Sequence, residues 1–91
     1  PAEPADRWVI SCDYGTVNPT SMGLWGKWGG VWYRVQEYYY DARAARRQQT
    51  DQEYAQRLRE LAGGREIEAV VVDPSAASFV EVLWREGWHV R

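Results

Sequence analysis

Two apolar, strand-like runs in this chain each end in an aspartate. Trp8–Cys12 leads into Asp13-Tyr14-Gly15, and Ala69–Val72 leads into Asp73-Pro74-Ser75. The charge of Asp13, at the end of what should be the central strand, is costly to bury without a partner, and a metal is a natural one. If the two strands lie side by side and parallel, their backbones are about 4.8 Å apart and the two carboxylates converge at their C-terminal tips. That spacing suits two divalent cations roughly 3.5–4 Å apart, the arrangement that activates water in phosphodiester cleavage. Asp13 and Asp73 are therefore the candidate catalytic and metal-ligating residues.

The rest of the chain supplies a mixed sheet around these two strands. Ser21–Trp28 and Val31–Tyr40 are rich in aromatic and β-branched residues and flank Gly29-Gly30, a pair able to take the positive φ angles of a tight hairpin. Alternation would put Val31, Tyr33 and Val35 on one face and Trp32, Arg34 and Gln36 on the other. Thr50-Asp51-Gln52-Glu53 has the capping-box form, and Tyr54, Leu58 and Leu61 follow at helical spacing until Gly63-Gly64. A second helix is expected from Pro74 onward, with Ala76, Phe79, Val80 and Leu83 on one face and Gly87 at its end. Trp88–Arg91 should begin a further strand. The expected order is β-β-β-α-β-α-β: three antiparallel strands, then parallel strand-helix units with right-handed crossovers.

Composition narrows the class further. Ninety-one residues make one domain at most, and a hydrophobic fraction of 45% with six tryptophans and six tyrosines excludes a disordered chain. The net charge of −2 gives no global basic field, and the one local basic cluster is Arg43, Arg46 and Arg47. The single cysteine, Cys12, cannot form an internal disulfide and reads as a small buried hydrophobe in a reduced compartment. With no signal peptide or membrane-length apolar run, a soluble intracellular protein is expected.

Three motifs in order carry a resemblance to a known family. Asp13-Tyr14-Gly15 with Asn18-Pro19-Thr20, then Glu37-Tyr38-Tyr39-Tyr40-Asp41, then Asp73-Pro74-Ser75-Ala76-Ala77-Ser78-Phe79 resembles the C-terminal nuclease domain of phage terminase large subunits. The likeness runs from about Trp8 to the last residue. It implies an α/β chain with the ribonuclease H-like mixed sheet, incomplete at the C-terminus. In domain terms it implies a linker over residues 1–6 and the N-terminal part of the nuclease domain over 7–91. By the same resemblance Asp13 and Asp73 are ligands of a two-metal site holding Mg²⁺ or Mn²⁺, and a third acid lies beyond Arg91. The activity implied is endonucleolytic cutting of concatemeric double-stranded DNA during packaging, with this piece alone inactive. The implied partners are an ATPase domain ahead of Pro1, the terminase small subunit and the portal, in the cytoplasm of an infected bacterium.

Each residue also has a plainer reading. Asp73 before Pro74 could be a helix N-cap, with Ser75 able to take over that role and release it. Asp13 could simply open a turn before Gly15. Glu37 could face the site but is expected instead to pair with Arg34 or an arginine further on, Asp41 to sit in a solvated turn, Asp51 to mark a helix N-terminus, and His89 to pack or face solvent. Trp25, Trp28 and Trp32 read as sheet packing, with base stacking as a second use. Two rival functions fit parts of the sequence. Asp13-Tyr14-Gly15-Thr16 matches the phosphate-cradling turn of actin-like and sugar kinases, and the piece could instead be a non-catalytic interaction module. An open sheet edge also predicts self-association.

Overall fold

The computed structural model describes residues 3–91, so Pro1 and Ala2 of the expected linker lie outside the described residues. The elements are β1 (Arg7–Asp13), β2 (Thr20–Trp28), β3 (Val31–Tyr40), α1 (Ala42–Ala45), α2 (Asp51–Ala62), β4 (Ala69–Val72) and α3 (Ala77–Arg85). They form one mixed sheet in the order β3-β2-β1-β4. β1, β2 and β3 pair antiparallel, and β4 lies parallel to β1 with Val9 opposite Ala69 and Cys12 opposite Val72. Of the expected last strand, a single parallel bridge forms, Val70 to Val90, held by hydrogen bonds between Val70 and both His89 and Arg91.

Alternation along the strands decides which face is buried. Ile10 and Cys12 of β1, Met22 and Leu24 of β2, and Val70 and Val72 of β4 share one face and pack with Tyr54, Leu58 and Leu61 of α2 and Phe79 and Leu83 of α3. The capping box of α2 is present: the Glu53 N–H donates to Thr50 Oγ1 at 3.1 Å, and the Thr50 N–H donates to Glu53 Oε1 at 3.0 Å. Gly63, at φ 59°, ends that helix in the left-handed conformation. Gly29 and Gly30, at φ 56° and 79°, make the hairpin turn between β2 and β3.

Three local expectations are corrected. The pairing of Leu24 with Gln36 and of Trp25 with Arg34 leaves Val35 as an extra residue in β3. This bulge moves Gln36 to the opposite face from Trp32 and Arg34, whereas strict alternation had grouped all three. α3 begins at Ala77, not Pro74. Asp73 Oδ1 accepts from the Ser75 N–H at 2.8 Å and Asp73 O from the Ala76 N–H at 3.0 Å, so Pro74 and Ser75 form a turn. Ala76 stands at the N-cap without a side-chain cap, and Ser75 does not take that role. Finally, Asp41 sits in more than a solvated turn: it caps the one-turn helix α1 by accepting from the Arg43 and Ala44 N–H groups.

Candidate metal centre

The β1–β4 register positions the two aspartates. With Cys12 opposite Val72, the next residues, Asp13 and Asp73, stand at the same level on adjacent parallel strands, Asp13 still paired with Ser21 of β2. Both line one shallow cleft with Ser11, Val71, Pro74 and Arg91. Cys12 alternates to the other face and is buried in the core, while Asp13 is exposed. The expectation that Asp13 carries a buried charge in need of a partner is therefore corrected. β1 ends where its side chain reaches the face that, among the described residues, no helix covers.

Asp73 is held more firmly than Asp13. Its Oδ1 takes the Ser75 N–H, and hydrogen bonding from Ser75 keeps its carboxyl below the ordinary aspartate range. The carboxylate thus stays ionised. The hard, anionic oxygen donors of the pair fit Mg²⁺ or Mn²⁺ rather than a thiophilic metal. Cys12 is no ligand: burial first, then the charge of Asp13, pushes its thiol up to about 12. Among the described residues no group of three or more His, Cys, Asp or Glu side chains comes together, so no third carboxylate joins the pair.

A raised thiol pKa stabilises the folded state fully below the ordinary cysteine range, and that contribution is lost as pH rises toward about 12. At pH 8 a thiol reagent should therefore leave native protein unlabelled and label it fully in denaturant. Rapid labelling of the native chain, followed by mass spectrometry, would contradict the buried placement.

The segment after Asp13 is locked by Gly15 and Thr20. The Gly15 N–H donates to Thr20 Oγ1 at 3.0 Å, and the hydroxyl donates back to Gly15 O at 3.2 Å. Thr20 is fully buried, and a Cβ on Gly15 would lie 1.9 Å from Asn18 O. Tyr14, between Asp13 and this clasp, stacks on Phe79 with centroids 4.7 Å apart and donates its hydroxyl to Asp51. Asp51 is thus the anchor of Tyr14 as well as a helix-start charge, a role its sequence context did not signal.

The other candidates fall to structural roles. Glu37 pairs with Arg34 at 3.1 Å, and His89 is exposed. Trp25 lies under Arg34 and donates to Ser11, while Trp32 lies under both Arg7 and Lys27. Trp28 packs edge-on with Trp8 and Tyr33. Their own neighbours occupy these rings, which argues against base stacking.

No protein-family model matches the chain, and no curated protein does. Solved structures do. The large terminase of the thermophilic bacteriophage D6E in complex with ADP matches at 47% identity and a TM-score of 0.94, over 100% of this chain and 23% of that one. The same protein in complex with ATP-gamma-S matches at 47% identity and a TM-score of 0.94, over 100% and 24%. A further crystal form matches at 47% identity and a TM-score of 0.92, over 99% and 23%. The chain thus spans about a quarter of the length of the large terminase structures it resembles.

Proposed function

We propose that this chain is a segment of a phage-type large terminase and carries two metal-holding carboxylates of its nuclease, within a ribonuclease H-like sheet. The observation that carries the reading is the register that brings Asp13 and Asp73 to one level at the ends of parallel β1 and β4. The likeness to the phage D6E large terminase over the whole chain supports it. So does the sequence itself, which contains no G-x-x-x-x-G-K-[ST] run of the kind that cradles nucleotide phosphates. The ADP and ATP-gamma-S of the D6E complexes therefore have no matching phosphate loop in this segment. The kinase-type alternative is disfavoured for a related reason: the Gly15 N–H, which such a turn would offer to phosphate, is committed to Thr20.

In this reading Asp13 and Asp73 would hold Mg²⁺ or Mn²⁺, which would activate a water and stabilise the charge developing on the leaving oxygen. The chain's own contributions are orientation and ionisation. The Ser75 N–H fixes one oxygen of Asp73, and the Gly15–Thr20 clasp with the Tyr14 anchor fixes the exit of β1. The substrate is the phosphodiester backbone of double-stranded viral DNA. The ATPase domain, small subunit and portal are partners of the larger assembly. Among the described residues no helix is long and apolar enough to cross a membrane.

Calorimetric titration of Mn²⁺ into the chain and into its Asp13→Asn and Asp73→Asn variants tests the reading. Binding by the parent that each single substitution weakens by tenfold or more, about 1.4 kcal/mol, supports one shared site. Binding that survives both substitutions removes the pair from the metal.

A further inference from the structure

The basic residues of this chain divide sharply by partner. Arg7 and Arg91 pair with Glu68, Arg34 with Glu37, Arg47 with Glu53, Arg57 with Glu60, Arg59 with Glu86 and Arg85 with Glu81. Arg65 lies over Trp8 and Lys27 over Trp32. Among the described residues, Arg43 and Arg46 are left with neither an ion pair nor an aromatic face. Both are exposed, both line the same cleft with Thr16 and Val17, and no carboxylate lines it.

The platform beneath them is well fixed. Asp41 caps α1, the Tyr40 hydroxyl donates to Arg47 O at 2.5 Å, and Arg47 is held by Glu53. Gln48 Nε2 donates to Thr16 O at 2.7 Å, tying this segment to the turn that follows Asp13. Arg46 has φ 56° and, among the described residues, is the only non-glycine with positive φ. Such a backbone is strained in a non-glycine residue, and glycine would relieve it. An arginine is held there, three residues from a second one, and neither side chain has an ion-pair partner among the described residues.

Placement supplies the link to the carboxylates. β1 and β3 both run toward the end of the sheet where Asp13 and Tyr40 stand, and Thr20, opposite Tyr40, holds Gly15. We propose that the cleft between α1 and the Thr16–Val17 turn is a phosphodiester-binding site. There Arg43 and Arg46 hold the backbone of duplex DNA at the same end of the sheet as Asp13 and Asp73. The proposal deepens the nuclease reading and rests on it for the identity of the polymer. Guanidinium groups suit phosphate oxygens because their planar donors match them bidentately. In a chain of net charge −2, such contacts must be local to compete with general repulsion.

Fluorescence anisotropy of a labelled DNA duplex with the whole chain, in EDTA across a salt series, tests this apart from the metal. The parent should bind. Arg43→Ala with Arg46→Gly should weaken binding by on the order of tenfold and flatten the log–log salt slope by about 1.8, near 0.9 for each phosphate no longer neutralised. The Arg46→Gly change should leave thermal stability equal or higher, and Arg85→Ala, which removes one charge on α3, should leave binding unchanged. A parent that ignores the duplex, a double variant that binds as the parent does, or equal weakening by Arg85→Ala would overturn the site. ATP displacing the duplex at matched phosphate concentration would overturn the choice of polymer. If Mn²⁺ binding survives both aspartate substitutions while the arginine variants lose the duplex, the metal reading falls and the phosphodiester site stands.

Discussion

Phe79→Ala should destabilise the chain by about 3–5 kcal/mol, the range for deleting a buried aromatic side chain that leaves a cavity. Phe79 is fully buried between the sheet and α2, with its ring 4.7 Å from that of Tyr14 and 6.4 Å from that of Tyr54. The effect should reach beyond the core. Tyr14 follows Asp13 directly, and α3 follows the turn that holds Asp73, so Phe79 joins the exits of both strands. Urea unfolding monitored by tryptophan fluorescence would measure the loss. Trp84→Ala on the same helix, where the ring is 58% exposed, should cost about 1 kcal/mol or less. Equal losses for the two would mean that Phe79 does not occupy the centre of this core.

The parts legible in the sequence were those set by short-range rules. The Gly29-Gly30 hairpin, the Thr50–Glu53 capping box and the glycine stop at Gly63 each follow from residues within one turn of each other, and all three are present. The shared level of Asp13 and Asp73 was an inference from topology, and the β1–β4 register agrees with it. What remained hidden depends on geometry that no single pattern encodes. The bulge at Val35 reverses the facing of every later residue in β3, although the sequence there alternates without a break. Asp-Pro is compatible with both a helix cap and an Asx turn, and the Ser75 N–H bond is common to the two; they are separated by the Ala76 N–H closing a turn on Asp73 O and by the helix starting only at Ala77. Arg43, Arg46 and Arg47 looked alike as a cluster. Long-range partners separate them, since Glu53 neutralises Arg47 and leaves the other two unpaired.

Gly15→Ala should be the most damaging single-methyl change near the site. The added Cβ would stand 1.9 Å from Asn18 O and 2.6 Å from Pro19 O, both rigid backbone atoms, so the turn must open. Opening it parts the Gly15–Thr20 pair and strands the hydroxyl of Thr20, which is fully buried. An unsatisfied buried polar group costs about 1–3 kcal/mol, and backbone strain of similar size adds to it. A total loss of roughly 2–6 kcal/mol follows, measurable as a shift of the urea midpoint. Gly30→Asn is the contrasting change. Position 30 has φ 79° with open space around it, and asparagine tolerates the left-handed region, so a loss of about 1 kcal/mol or less is expected. The two glycines differ in kind: one serves a backbone angle, the other a close approach of chain segments. Because the displaced turn begins at Asp13, Gly15→Ala should also weaken Mn²⁺ binding without altering any ligand, whereas Gly30→Asn should leave it intact. A Gly15→Ala protein with parental stability and parental metal affinity would show that the clasp positions nothing.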